Sequence, residues 1–339
     1  GGGHITAETH DLRVPPMPPT PELDVPIPPI EDPKHALAPF FQRLARSLRG
    51  ALDDHVRVAL YGDSNMTRDH ISGELRRVLQ ARHGDGGHGY VAIGKPWSWY
   101  QHMDVEHGLE PKAWRSFAVS THAVIDDSYG FAGIAAQSIS NGARAWVNTA
   151  KQGAPVGTRA SRFDLYWLMQ PRGGEVEVRA DGKSLATIET RAAELALRHR
   201  RFELEDGPHR LMFAADIGTR LLGVVLERSE PGIVVDSLGV GGAKIGQLAR
   251  MRDDIARAAL TQRSYDLVMV VTGATEDDAH SHDPALEKFI ARHRGALPNA
   301  SCLVMSPPDF ANGTARAPPP SKRIVRLGTC KRSPERLVK

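Results

Sequence analysis

The chain has 339 residues, 41% of them apolar, with 43 lysine and arginine residues against 40 aspartate and glutamate residues. This length and composition predict one or two globular domains that can bury a core. No run of 18 apolar residues occurs, which excludes a membrane-spanning helix, and the two cysteines lack the spacing of a metal site. The excess positive charge falls in 316–339, where eight lysine and arginine residues face one glutamate. Because this segment is a Pro-rich end rather than a stripe along a fold, nucleic-acid binding is not expected.

The first feature along the chain is a Pro-rich segment, 1–34, with nine prolines between residues 14 and 33. Such a density of proline excludes a helix or a central strand and favours an extended linker. The opening residues, GGGHITAETHD, lack the basic and apolar regions of a signal peptide. The chain by itself therefore indicates no compartment.

Residues 35–94 have the pattern of a strand between two helices. The runs HALAPFFQRLARSLRGAL and TRDHISGELRRVLQARHG carry apolar residues at helical spacing, and Gly84 ends the second. Between them, VRVALYGDSNM predicts a short apolar strand that ends in Gly-Asp-Ser. The glycine-rich run DGGHGYVAIG is expected to lead into a further short strand.

Residues 95–231 consist of short alternating runs such as FDLYWLMQ, GEVEVRADG and HRLMFAAD, separated by Gly, Pro and Asp. Several short strands at this spacing predict an antiparallel β-sandwich. All five tryptophans fall in the segment. Their rings suit either stacking on sugars or packing in a core, and core packing is the favoured interpretation for any single one.

Residues 232–310 return to alternating strands and helices. The runs, in order, are GIVVDSLGVGG, AKIGQLARMRDDIARAAL, SYDLVMVVTG, DPALEKFIARHRG and ASCLVMSP. This alternation predicts a parallel, doubly wound α/β sheet. The sequence thus predicts an α/β domain, formed by 35–94 and 232–310, that is interrupted by an all-β insertion at 95–231. The basic segment 311–339 shows no apolar strand.

Three loops follow the first three strands of the predicted parallel sheet. They read GDSN from Gly62, GVGG from Gly239 and GATE from Gly273. In open α/β sheets ligands bind beyond the carboxyl ends of the strands, so these loops are expected to share one edge. A serine at a tight strand-to-helix turn exposes its hydroxyl and has its N–H at a helix N-terminus, which suits a nucleophile beside an oxyanion site. Taken alone, however, a Gly-Asp-Ser turn is more often a helix cap.

In this order and context, the loops resemble the conserved blocks of the SGNH (GDSL-type) serine hydrolase superfamily. Its first block is GDS, its second supplies a glycine N–H, its third is G-x-N-[DE] and its fourth is D-x-x-H. The runs RHGDGGHGYV, LERSEPGIVVDSLGVGGA and LVMSPPD are similar to the bacterial group that includes peptidoglycan O-acetylesterases. In that group a carbohydrate-module-like β-sandwich separates the first two blocks. The resemblance covers about 54–310.

The resemblance implies a flavodoxin-like, three-layer fold and an activity. The expected reaction is hydrolysis of O-acyl esters, in particular O-acetyl esters, on a carbohydrate or peptidoglycan, with no metal or organic cofactor. The resemblance also implies export from a bacterial cell. The expected partner is an acylated glycan or a small ester.

Carried over residue by residue, the resemblance makes Ser64 the nucleophile and Gly242 a backbone donor to the oxyanion. Asp63 supports the turn and is not the triad acid. Thr275 stands where the family has the asparagine that donates an amide to the oxyanion. Loss of one such donor costs about 2.7–4 kcal/mol of transition-state stabilisation, which a serine esterase can survive.

The histidine of the fourth block has no counterpart, because no histidine follows His293. The D-x-x-H spacing recurs elsewhere, at Asp32/His35, Asp85/His88, Asp104/His107, Asp206/His209 and Asp277/His280. The first four pairs precede the second block and are expected to be surface or turn residues. His280 and His282 follow the third strand and are better placed to act as the base, although a solvated loop histidine is the more ordinary interpretation.

Three interpretations remain open at this point. The intact GDSN turn and the glycine loop favour a serine esterase. The missing histidine and the altered third block favour a non-hydrolytic carbohydrate-binding relic. A fragment that lacks its fifth strand is the third. The acyl group, the glycan and the oligomeric state are not determined by the sequence.

Overall fold

A computed structural model describes residues 30–121, 123–271, 279–305 and 327–329. Within these ranges the chain forms five α-helices and sixteen strands. The elements up to residue 227 are α1 (Ala38–Leu48), β1 (Val56–Gly62), α2 (His70–His83), β2 (Gly89–Val91), β3 (Glu106–Leu109), β4 (Trp114–Ala118), β5 (Ile134–Ser138), β6 (Ala143–Asn148), β7 (Ala160–Met169), β8 (Glu175–Ala180), β9 (Lys183–Glu189), β10 (Ala196–Gly207), β11 (Arg210–Ala215) and β12 (Arg220–Glu227). The remaining elements are β13 (Ile233–Gly239), α3 (Ile245–Arg250), α4 (Asp253–Arg263), β14 (Leu267–Val271), α5 (Ala279–Ala296), β15 (Ser301–Met305) and β16 (Leu327–Thr329).

The first sheet is parallel and doubly wound, with strand order β13-β1-β14-β15-β16. Its first four strands pair in parallel, and β16 joins β15 antiparallel. The sequence pattern did not indicate β16, whose three residues are too few for a periodic signal. Chain order reverses beside β1, so the ends of β1, β13 and β14 form the edge where such folds bind ligands.

The second and third sheets are antiparallel, with orders β10-β7-β12-β5-β4 and β3-β6-β11-β8-β9. They enclose one apolar core, as expected for a β-sandwich. The α/β fold with an all-β insertion is therefore confirmed. Strand β2 precedes the predicted boundary at residue 95 but pairs with β12 of the sandwich. The division of the chain at 94 and 231 stays a prediction.

The two parts share a core. One face of the parallel sheet packs against α1 and α2 through residues such as Phe40, Val58 and Val235. The other face packs against α3, α4 and α5, and the same cluster continues into the first antiparallel sheet through Tyr166 and Leu222. The sandwich and the α/β part are therefore packed directly against each other.

The run AKIGQLARMRDDIARAAL was expected to form one helix, but it forms two, α3 and α4. The break lies at Met251, whose backbone is extended, with φ −46° and ψ 144°. Buried Arg292 of α5 donates hydrogen bonds to the carbonyls of Leu248, Ala249 and Met251 at 2.7–2.9 Å. The guanidinium thereby satisfies the carbonyls at the end of α3, which a continuous helix would have bonded internally.

None of the described helices combines the length and the apolar composition that crossing a bilayer requires.

Candidate active site

Ser64 begins a short 3₁₀ turn, Ser64–Met66, directly after β1, and its side chain is exposed. The turn is held by Asp63, whose Oδ1 accepts hydrogen bonds from the backbone N–H and the side-chain amide of Asn65, both at 3.0 Å. Thr67 Oγ1 donates to the Ser64 carbonyl at 2.9 Å. Asp63 is buried, and its Oδ1 caps the start of the turn.

Two paired glycines form the floor beneath this turn. Gly62 and Gly239 are opposite each other in the register of β1 and β13. A Cβ added to Gly239 would lie 2.5 Å from Met66 Cβ and 2.7 Å from the Met66 carbonyl carbon, closer than real Cβ contacts. The Ser64 turn can approach β13 this closely only because both positions lack side chains.

The glycine loop after β13 lies beside the Ser64 turn. Val240 N–H donates to the Gly62 carbonyl at 3.0 Å, which joins the two loops directly. Gly242 is exposed and has φ +69°, a conformation in the left-handed region that glycine adopts without strain. Ser120 Oγ donates to the Gly241 carbonyl at 2.5 Å and fixes the peptide between Gly241 and Gly242. Ser64 and Gly242 therefore occupy the same sheet edge.

The third loop, which contains Thr275, lies outside the described residues, as does the side chain of His280. His282, in the first turn of α5, is largely buried, and its Nδ1 lies 2.9 Å from Asp283 Oδ1. The start of α5 packs on α3, where a Cβ added to Gly246 would lie 3.9 Å from Ala285 Cβ. Since α3 follows the Gly242 loop, His282 lies towards the same edge as Ser64. Within the described residues, no hydrogen bond joins the Ser64 hydroxyl to a histidine.

Sequence reasoning missed a buried polar cluster beneath the start of α2. His88 was expected at the surface, yet it and His102 are buried, and His88 Nε2 lies 3.0 Å from His102 Nδ1. His88 lies in the glycine-rich run before β2, and the sandwich covers this run. No local sequence pattern indicates that burial. Burial lowers the pKa of His102 to about 3, so its imidazole is neutral at physiological pH.

By donor type and distance, Asp69, His88 and His102 could hold a metal ion, because one ligand atom of each lies within 4.8 Å of the others. Arg76, however, already pairs with both oxygens of Asp69, at 2.9 and 3.2 Å. Although burial raises the pKa of Asp69, the Arg76 charge holds it well below its usual range. A second cation beside this guanidinium would be repelled, so the arrangement fits a metal ion poorly.

Within the described residues, the histidines of the other D-x-x-H pairs form no hydrogen bond with Ser64. His35 is exposed, whereas His107 Nδ1 lies 2.8 Å from the Gly94 carbonyl and His209 Nδ1 lies 2.7 Å from Asp181 Oδ2. His209 lies in the turn between β10 and β11, so the expectation of surface or turn residues holds for His35 and His209. It does not hold for His107, which lies within strand β3 and is only partly accessible.

The chain matches no family model, and no curated protein matches it. Among solved structures, a peptidoglycan O-acetylesterase is similar to it, with a TM-score of 0.65 and 21% sequence identity over 82% of this chain and 75% of that chain. At this identity the likeness shows the fold. A family two carbohydrate esterase from Clostridium thermocellum (TM-score 0.22, 10% identity, 59% of this chain and 79% of that chain) and a carbohydrate-binding module from Clostridium stercorarium (TM-score 0.25, 11% identity, 40% and 98%) are too distant to support a conclusion.

Proposed function

We propose that this protein is a serine esterase that hydrolyses O-acyl esters, in particular O-acetyl esters, on a carbohydrate such as peptidoglycan. The observation that carries the proposal is the exposed Ser64 turn joined to the Gly242 loop at the ligand-binding edge of the sheet. The fold similarity to a peptidoglycan O-acetylesterase supports the same substrate class.

In the proposed reaction, Ser64 Oγ attacks the acyl carbonyl carbon while a general base takes the hydroxyl proton. The negative charge of the tetrahedral intermediate falls between the backbone N–H groups of Ser64 and Gly242. The intermediate collapses to an acyl-serine as the glycan oxygen leaves with the proton from the base. Water, activated by the same base, then attacks the acyl-serine and releases the acid and free Ser64.

His282 is the base that we favour. Its Nδ1 lies 2.9 Å from Asp283 Oδ1, and when Nδ1 carries the proton, Nε2 is the basic nitrogen of the ring. Such a histidine–carboxylate pair is the arrangement that activates serine nucleophiles in general. His280 precedes it by two residues and is the alternative base.

The test is labelling with an organophosphonate that reacts only with activated serines. Stoichiometric labelling of the full chain, lost in Ser64→Ala and kept in Ser184→Ala, is expected. Ser184 is an exposed serine on β9, away from the sheet edge, and so provides a matched control. A well-folded chain that takes up no label at Ser64 would overturn the esterase and leave the carbohydrate-binding relic as the better account.

A further inference from the structure

Two tryptophans from the segment after β2 lie against the glycine loop of the candidate active site. A Cβ added to Gly241 would lie 3.3 Å from Trp97 Cε2 and 3.4 Å from Trp99 Cζ2. Gly241 directly precedes Gly242, the proposed oxyanion donor. The two indoles therefore line the wall of the loop at which the ester is expected to bind.

Trp99 differs from the buried tryptophans in its exposure. Its side chain is 48% exposed, whereas Trp97, Trp114 and Trp167 are at most 8% exposed. An indole left half in water at the ligand edge of a sheet keeps an apolar face free. For Trp99 the general expectation of core packing is therefore wrong.

Trp97 holds the segment in place. It is part of the main core and packs edge-on against Tyr100, with ring centroids 5.2 Å apart and an interplanar angle of 86°. Tyr100 in turn lies within the buried histidine cluster, since its hydroxyl is 2.8 Å from His102 Nε2. The segment that carries Trp99 is thus anchored in the buried core on both sides of it, through Trp97 and Tyr100.

The indole N–H of Trp97 is buried and has no hydrogen-bond partner within the described residues. A buried donor without an acceptor is costly, and such groups recur at sites that a ligand completes. Nε1 is bonded to Cε2, the Trp97 atom that lies nearest the Gly241 position. The unpaired N–H therefore lies at the same loop as the free face of Trp99.

We propose that Trp97 and Trp99 form a sugar-binding subsite beside Ser64. The Trp99 ring stacks on the apolar C–H face of a pyranose, and the Trp97 N–H donates to an oxygen of the bound sugar. An aromatic face with one convergent donor is the usual composition of a site that orients a polar ring. The inference deepens the proposed function, on which it rests for the ester that the sugar carries.

The experiment measures binding without turnover. The probe is the β-1,4-linked tetramer of N-acetylglucosamine, titrated calorimetrically into the full chain carrying Ser64→Ala. In that background, Trp99→Ala is expected to raise the dissociation constant at least tenfold. Trp97→Phe, which keeps a ring in the core and removes the N–H, is expected to raise it three- to tenfold. Phe41→Ala, an exposed aromatic residue on α1 that is 53% exposed, is the matched control and should bind as the parent does.

A second readout compares substrates in the chain with Ser64 intact. Trp99→Ala is expected to lower the ratio of kcat/KM for the O-acetylated tetramer to kcat/KM for p-nitrophenyl acetate at least tenfold. Circular dichroism and thermal melting establish that each variant is folded.

Two binding results would overturn the subsite. One is a parent chain that does not bind the tetramer at millimolar concentration. The other is binding that is unchanged in both Trp99→Ala and Trp97→Phe. If Trp146→Ala, on β6 of the sandwich, abolished binding in that case, the sugar would bind to the sandwich and not beside Ser64. Because the titration needs no reactive serine, loss of the esterase and loss of the subsite are distinguishable. Trp99-dependent binding in a chain that takes up no phosphonate would retain the subsite and reject the esterase.

Discussion

Arg263 Nε donates a 2.7 Å hydrogen bond to Asp236 Oδ2 in the core shared by the parallel sheet and the sandwich. The same guanidinium donates to Glu227 Oε1 at 2.5 Å, and all three side chains are buried. Asp236 belongs to β13 of the α/β part, and Glu227 ends β12 of the sandwich. Burial raises the pKa of Glu227, but the charges of Arg263 and Arg57 hold it well below its usual range. Arg263 therefore joins the two parts electrostatically.

Replacement of Arg263 should destabilise the whole chain. We expect Arg263→Met to lower the free energy of unfolding by about 3–5 kcal/mol, because two buried carboxylates lose their shared cation. Urea unfolding followed by tryptophan fluorescence measures the change. Arg252→Ala, which removes an exposed pair with Asp254, is the control and should change stability little, because exposed ion pairs are weak. A loss below about 1 kcal/mol for Arg263→Met would contradict the assigned role.

Gly239 should control activity without touching the substrate. A Cβ at this position would displace the backbone of Met66 and with it the Ser64 turn. We expect Gly239→Ala to lower kcat by about 100-fold, the effect of a misplacement of roughly 1 Å. Gly246→Ala, where the nearest atom lies 3.9 Å away and the backbone is helical, is the matched control. Equal kcat values for the two variants on p-nitrophenyl acetate would argue against this geometry.

Stability should fall in mild acid because of neutral buried histidines. Burial lowers the pKa values of His107 and His293 to about 4. In the unfolded chain both titrate near 6.5, so the unfolded state binds more protons between pH 6.5 and about 4. Their contribution is complete above pH 6.5 and is lost as the pH falls through this window, by up to about 1.4 kcal/mol per pH unit for each group.

The slope provides a direct test. His293 packs between Phe289 and Tyr61, with ring centroids 4.1 and 5.1 Å away, so His293→Phe keeps the packing and removes the titration. The free energy of unfolding, measured by urea titration between pH 7 and 4.5, should fall less steeply with pH in this variant. The difference corresponds to one fewer proton taken up on unfolding. His70→Ala, which replaces an exposed histidine at the start of α2, is the control variant. Parallel curves for His293→Phe and the parent would reject the burial argument.

The proposed base predicts graded losses along α5. We expect His282→Gln to reduce kcat about 1000-fold or more, and Asp283→Asn to reduce it about tenfold, since the latter loosens the ring without removing it. Burst and steady-state kinetics on p-nitrophenyl acetate measure both. Glu287→Gln, an exposed carboxylate on the same helix, is the control. Full activity in His282→Gln would transfer the role to His280.

The sequence determined the local elements and their order. Helix α2 was expected from its apolar spacing, and it ends at Gly84, whose φ of +93° suits glycine. The strand VRVALYG ends where the Gly-Asp-Ser turn begins, and the glycine loop follows β13. The apolar spacing of a helix or strand repeats within two to four residues, and a glycine turn is set by adjacent residues. Both can therefore be predicted without knowledge of the fold. The roles of Ser64, Asp63 and Gly242 rest on this reading and stay predictions.

Only the tertiary structure decided which distant residues meet. Glu227 and Arg57 are 170 residues apart in the sequence, yet they form a buried ion pair. Arg292, which bonds the carbonyls at the break between α3 and α4, lies about 40 residues after them in the sequence. His88 is buried and Trp99 is half exposed because the sandwich covers one and leaves the other at the sheet edge. Burial, strand pairing and charge pairing depend on the packing of whole sheets, which no local period encodes. The hydrogen bonds of a helix, by contrast, join residues four apart, and the turn residues at the end of a strand lie beside it in the sequence.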